Sequence, residues 1–135
     1  MAYIDGGARG NPGPAGYGVR IERPDGTLVD EISAPIGVAT NNVAEYRGLL
    51  AALEWAKLQG HRRLHVRSDS LLLVQQMLGR YKVRHPRLQP LHARAQLLVH
   101  DIGRVTFEHV DRAHNAHADR LANQAMDQTA EPFGG

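Results

Sequence analysis

The sequence predicts an α/β fold in which helices flank a mixed β-sheet. Three observations carry that expectation. The chain opens with three strand-like segments separated by glycine- and proline-rich turns, which make an antiparallel start. Two further strand-like segments then alternate with helical ones, and strand-helix-strand units make parallel pairs. The 135 residues, 42% hydrophobic and 22% charged, suffice for one hydrophobic core and not comfortably for two.

The first strand is "AYIDGG", with Tyr3 and Asp5 on one side and Ala2 and Ile4 on the other. "RGNPGPAG" interrupts it. "YGVRIERPDGTLVDEISAPIG" reads as a hairpin around a "PDG" turn. A helix from about Asn42 to Gln59 follows, stopped by Gly60. "RLHVRSD" alternates Leu64 and Val66 against His65 and Arg67, as a strand does, and "SLLLVQQML" is a short helix ended by Gly79. A link containing Pro86 and Pro90 leads into a helix of roughly Leu88 to Val99. "RVTFEHV" is the last strand and "NAHADRLANQAMDQ" the last helix, with Asn115 as its expected cap. Residues 1–128 are expected to form the domain and 129–135 a flexible tail.

Composition narrows the chemistry. With no cysteine, disulfides, thiolate catalysis and cysteine zinc sites are excluded. No apolar run approaches a membrane span and "MAYIDGG" has no signal-peptide character, so a cytoplasmic monomer is the expectation. Net charge is only +2, yet Arg80, Lys82, Arg84, Arg87 and Arg94 fall in one acid-free stretch with His85 and His92. Such a patch suits phosphates, and equally a solvated surface.

Helical projection of "TNNVAEYRGLLAALEWA" gives an apolar arc of Ala44, Gly48, Ala51, Ala52, Trp55 and Ala56, with Glu45 inside it. Asp5 closes the first strand, Asp69 the fourth, and Asp119 lies one turn into the last helix beside the arc Ala118, Leu121, Ala122, Ala125. If the first and fourth strands are parallel neighbours, all four acids converge. Singly, each reads as a turn, cap or first-turn acid. As a cluster they would raise one another's pKa values and strain the fold unless divalent cations neutralise them. Oxygen-only ligands suit Mg²⁺ or Mn²⁺.

The segments "YIDGGARGNPGPAGYG", "TNNVAEYRGLLAAL", "VRSDS" and "HVDRAHNAHADRLANQA" resemble, in that order, the signature segments of ribonuclease H type 1, over Tyr3 to about Ala125. The resemblance implies a five-stranded sheet of order 3-2-1-4-5. It also implies an endonuclease that hydrolyses the RNA strand of an RNA/DNA hybrid, leaving 5′-phosphate and 3′-hydroxyl ends. The family's metal-binding acids fall on Asp5, Glu45, Asp69 and Asp119. By that likeness Asp5 bridges two ions about 4 Å apart; Asp119 serves the one activating water, and Glu45 and Asp69 the one at the departing 3′ oxygen.

The likeness extends to substrate contacts. Gly10 and Asn11 in "GNPG", with Asn41 and Asn42, match minor-groove contacts to 2′-hydroxyls and bases. Thr40 matches a DNA-phosphate position, and Ser70 one beside the acids. The same residues also serve as a turn and a helix cap. The chain departs from the pattern in lacking both a long loop with its histidine before the last helix and a long basic protrusion. Arg112 is the first candidate to replace that histidine and His114 the second, while His117 reads as a solvent-facing residue. Arg80, Lys82, Arg84 and Arg87 could partly replace the protrusion. Ile4 stands where a threonine is usual, and Leu71 where a polar substrate contact is. Two alternatives remain on sequence alone: a same-fold nuclease acting on double-stranded RNA, and a non-catalytic nucleic-acid-binding module.

Overall fold

The structure, a computed structural model, describes residues 1–130. Five strands, β1 (Ala2–Ala8), β2 (Gly13–Glu22), β3 (Leu28–Ala39), β4 (Arg63–Ser68) and β5 (Arg104–His109), form one sheet of order β3-β2-β1-β4-β5. β1, β2 and β3 pair antiparallel; β1 with β4, and β4 with β5, pair parallel. The helices are α1 (Asn41–Leu58), α2 (Leu71–Met77), α3 (Gln89–Ile102) and α4 (Ala116–Ala130), with a 3₁₀ turn over Arg112–Asn115. Of the tail expected over 129–135, residues 129 and 130 instead continue α4, and 131–135 lie outside the described residues.

Alternation on β1 is as the sequence implies: Ala2 and Ile4 are buried, Tyr3 and Asp5 half-buried. Ile4, Val19 and Val66 pack beneath α1, where Tyr46, Leu49 and Leu53 meet them and Leu98 of α3 closes the layer. α1 therefore buries more than one narrow stripe, because it is held between sheet and α3. This corrects the projected arc: Ala51 and Trp55 are only half-buried, whereas Tyr46, Leu49, Leu50 and Leu53 are buried. Trp55 instead stacks on His61 at 5.2 Å and donates to Asp30 at 2.9 Å. Tyr46 buries its hydroxyl by donating to Gln76 at 2.6 Å.

α4 packs on the opposite face, and two glycines set how close the layers come. A Cβ on Gly6 would overlap the Ala44 carbonyl carbon of α1, and one on Gly18 would stand 2.5 Å from the Ala118 oxygen of α4. Only a residue without a side chain permits either approach. Ala118, Leu121, Ala122 and Ala125 form the buried face of α4, as their spacing implies.

Asn115 is a second correction. It stands directly before α4, but its Oδ1 accepts no hydrogen bond, so it does not cap the helix; it ends the 3₁₀ turn, 1% exposed, with its Nδ2 turned inward. Asp111 caps the 3₁₀ turn, accepting from the His114 N–H at 2.9 Å. A tight turn before α4 rotates Asn115 toward the sheet, which a reading based on helical periodicity misses. Helix ends shift modestly: α1 starts at Asn41, and α3 runs on to Ile102.

Candidate active site

The site begins where two strands part. The β1–β4 ladder has its last rung at Ile4 and Ser68, so Asp5 and Asp69 are the next residues along each diverging strand. In a sheet with parallel neighbours, such a fork at the C-terminal strand ends is where a crevice opens. Glu45 is brought to it by the close approach of α1 at Gly6, with Thr40 capping the helix by accepting from Val43 N–H at 3.3 Å. Asp119 arrives from the first turn of α4. All four acids line a single cleft of about 700 Å³.

Electrostatics set these acids apart. The Asp5 carboxyl is pushed up to about 8, by burial first, then by the charge of Asp69 and by the hydrogen bond and charge of Asp119; the Gly6 N–H opposes this. Glu45 is pushed up to about 7 by burial, with Asp69 adding to the rise and the Ser70 hydroxyl opposing it. Arg9 and Arg112 also line the cleft, but Arg9 is ion-paired with Asp127 of α4. The cleft is thus short of positive charge. Among the described residues no group of three or more His, Asp or Glu side chains is drawn together tightly enough to hold a metal ion as it stands. The donor set, four carboxylates gathered at one cleft with Asp5 and Glu45 raised by burial first and by acidic neighbours second, nevertheless fits hard divalent cations, which would offset both costs.

Around the acids, the "GNPG" turn and the start of α1 are tied together. Asn11 Oδ1 accepts from the Asn41 N–H at 3.0 Å, and Asn41 Oδ1 from the Ala8 N–H at 2.7 Å. Gly10 turns the chain with φ of 87°, and Asn41 lines the cleft. Asn42 and Ser70 line a small recess beside it that shares Glu45 and extends to Leu72. Ser70 also caps α2 through the Leu73 N–H at 3.2 Å. Arg112 reaches the cleft; His114 is absent from its lining and is held by Asp111 at 2.5 Å. His117 is exposed. Arg80, Lys82 and Arg84 lie outside the cleft, bounding a shallow depression with Leu72 and Tyr81. Leu71 opens α2 and is 48% exposed.

Four polar cleft residues escape sequence reasoning: Arg9, His109, Asp111 and Asn123. His109 could have been found, because it ends β5 at the same sheet edge as Asp5 and Asp69; its Nε2 lies 3.3 Å from the Asp69 carbonyl oxygen. Arg9 and Asn123 carry no comparable signal.

Strand order, helices on both faces and acids at the fork define a ribonuclease H-like fold. A family model described as reverse transcriptase-like matches residues 3–125. The chain is 52% identical over 128 residues to the bifunctional protein Rv2228c of Mycobacterium tuberculosis, covering 94% of this chain and 35% of that protein. It is 44% identical over 126 residues to ribonuclease HI of Halobacterium salinarum, covering 93% of this chain and 63% of the relative. The chain therefore spans about a third to under two thirds of these relatives' lengths. The solved N-terminal RNase H domain of Rv2228c superposes with a TM-score of 0.91 at 52% identity, covering 96% of this chain and 95% of that one. LC11-RNase H1 in complex with RNA/DNA hybrid gives 0.92 at 44%, covering 96% and 98%. The chain belongs to the ribonuclease HI family.

Proposed function

We propose that this protein is an endoribonuclease that hydrolyses the RNA strand of RNA/DNA hybrids, leaving 5′-phosphate and 3′-hydroxyl ends. The observation that carries the reading is the single cleft lined by Asp5, Glu45, Asp69 and Asp119, short of positive charge and shaped by a strand fork. A purely binding module would be better served without those acids, since they repel phosphates.

Asp5, Glu45, Asp69 and Asp119 would hold two Mg²⁺ or Mn²⁺ ions. When bound, such ions supply an activated water and charge stabilisation at the departing 3′ oxygen. The chain's own residues do the rest. Asp5, central to the fork, fixes where the scissile phosphate sits relative to the other carboxylates. Arg112, a permanent cation at the cleft wall, steadies phosphate charge; His114, held by Asp111, is the weaker candidate for assisting turnover. Asn41, with Gly10 and Asn11 behind it and Asn42 and Ser70 beside it, offers polar groups to the 2′-hydroxyls that distinguish RNA from DNA. Thr40, the cap of α1, would take a DNA-strand phosphate. Arg80, Lys82 and Arg84, joined to the Asn42 recess through Leu72, extend the grip in place of a long basic protrusion.

The reading assigns the chain through the end of α4 at Ala130 to the catalytic domain, in a short-loop protein acting as a cytoplasmic monomer. No helix among the described residues is long and apolar enough to cross a membrane. The test is digestion of an end-labelled hybrid with Mg²⁺, Mn²⁺ or EDTA, beside duplex RNA and duplex DNA. Cutting confined to the RNA strand of the hybrid and abolished by EDTA is expected. Preference for duplex RNA would transfer the activity to that substrate, and no cutting of any RNA would end the nuclease reading.

A further inference from the structure

At the fork, one buried side chain is used by neither metal nor substrate in the scheme above. Asn115 is 1% exposed; its Nδ2 donates to the Ile4 carbonyl at 2.9 Å, and its Oδ1 has no hydrogen-bond partner. A buried amide with one end unpaired is a desolvation penalty that a leucine of similar size would avoid. A leucine, however, could not hold the Ile4 carbonyl.

The location gives that bond its meaning. Ile4 is the last residue of β1 paired with β4, and Asp5 follows it directly. Asp119 lies one helical turn beyond Asn115. On the other arm, Ser68 is buried, its carbonyl accepting from the Val110 N–H at 2.9 Å and its Oγ from the Ser70 N–H at 3.0 Å, with Asp69 between. β4 is thus pinned at its exit by its own next residues and by the segment that follows β5. β1 has its matching pin in Asn115, across 111 residues of chain.

We infer that Asn115 is a positioning residue: its buried amide ties the start of α4 to the last paired residue of β1, and so sets the separation of Asp5 and Asp119. This rests on the proposed function for its consequence in turnover, while the geometry stands without it. An amide is suited to the task because it is uncharged and donates at any working pH. A carboxylate of the same shape would face the Ile4 carbonyl with an acceptor.

The test compares Asn115→Leu with Leu98→Ala, a core truncation in α3 remote from the fork. Two readouts are taken: calorimetric Mn²⁺ binding to the protein alone, and the Mg²⁺ concentration giving half-maximal cleavage. Loss of a group that orients metal ligands weakens metal affinity by about 10- to 100-fold. Asn115→Leu should therefore weaken Mn²⁺ binding and raise the Mg²⁺ requirement by at least about tenfold, with KM for hybrid within about twofold. Leu98→Ala should lower Tm and leave both metal readouts unchanged. Should Asn115→Leu fail to fold, Asn115→Ser and Asn115→Asp carry the same two readings. Metal binding and requirement equal to those of the unaltered chain in a folded Asn115 variant would overturn the assignment. If the unaltered chain binds Mn²⁺ but cuts no hybrid, the nuclease reading falls and the calorimetry still judges Asn115.

Discussion

Two clusters of charge on the same sheet are built in opposite ways. On β4 and β5, Glu108 accepts from Arg67 at 2.8 Å and lies 2.8 Å from His65, which also contacts Thr106 at 2.6 Å. Arg67 in turn donates to the Tyr3 hydroxyl and lies over its ring. The His65 and Arg67 bonds hold Glu108 below the usual carboxylate range. At the strand fork Asp5 and Glu45 are raised instead, with acids as neighbours. A carboxylate answered by its own fold stabilises locally; one left unanswered and buried is waiting for a charge from outside. That contrast is why the proposed chemistry is set at the fork and not at the Glu108 cluster.

The sharpest way to break this contrast is Asp5→Asn. If Asp5 organises ions worth several kcal/mol to the transition state, hybrid cleavage should fall by at least about 10²-fold in a single-turnover assay. In EDTA the same variant should be more stable than the unaltered chain at alkaline pH, because a strained carboxylate is gone. Full activity in Asp5→Asn would remove the mechanism.

The pH dependence of stability follows from the same shifts. Between the ordinary 3.8 and about 8, the folded state keeps a proton on Asp5 that the unfolded chain has released. Glu45 behaves likewise between 4.5 and about 7. The folded state binds more protons in that window, so these groups make stability fall as pH rises through it. Urea unfolding in EDTA at about pH 5 and about pH 8.5 should show the decline, and Mg²⁺ should reduce it at the higher pH. A decline that persists equally in Asp5→Asn would assign it elsewhere.

A smaller effect tests the basic link. Replacing Arg80, Lys82 and Arg84 together by alanine should weaken hybrid binding and flatten its salt dependence, by about 0.7–0.9 in log–log slope for each phosphate no longer neutralised. An unchanged slope would place these residues outside the interface. The smallest effect is expected at the paired cluster on β4 and β5. Glu108→Gln should leave cleavage within about twofold and change stability by less than about 1 kcal/mol, as half-exposed ion pairs do. A large loss of activity there would erase the distinction between the two clusters.

Much of the fold and of the site was legible in the sequence. Tyr3–Asp5 alternation, the "PDG" turn and the Ala118–Leu121–Ala122–Ala125 stripe are local patterns, and each formed as its spacing implies. The misread arc of α1 has a different origin. Ala51 and Trp55 are apolar at suitable angles, but α3 covers a second flank of the helix, and burial depends on that neighbour. Asn115 looks like a cap because asparagine before a helix usually is one; the preceding 3₁₀ turn redirects it inward.

The sequence by itself determined the strands, the helices and the four acids, because periodicity and turn chemistry act over a few residues. Tertiary structure alone decided that β1 and β4 part after Ile4 and Ser68, that His109 and Arg9 share the cleft, and that Asn115 bridges 111 residues to Ile4. The raised carboxyls belong to that second group. Their protons answer to burial and to charges that come together only when strands and helices distant in the chain pack at one rim.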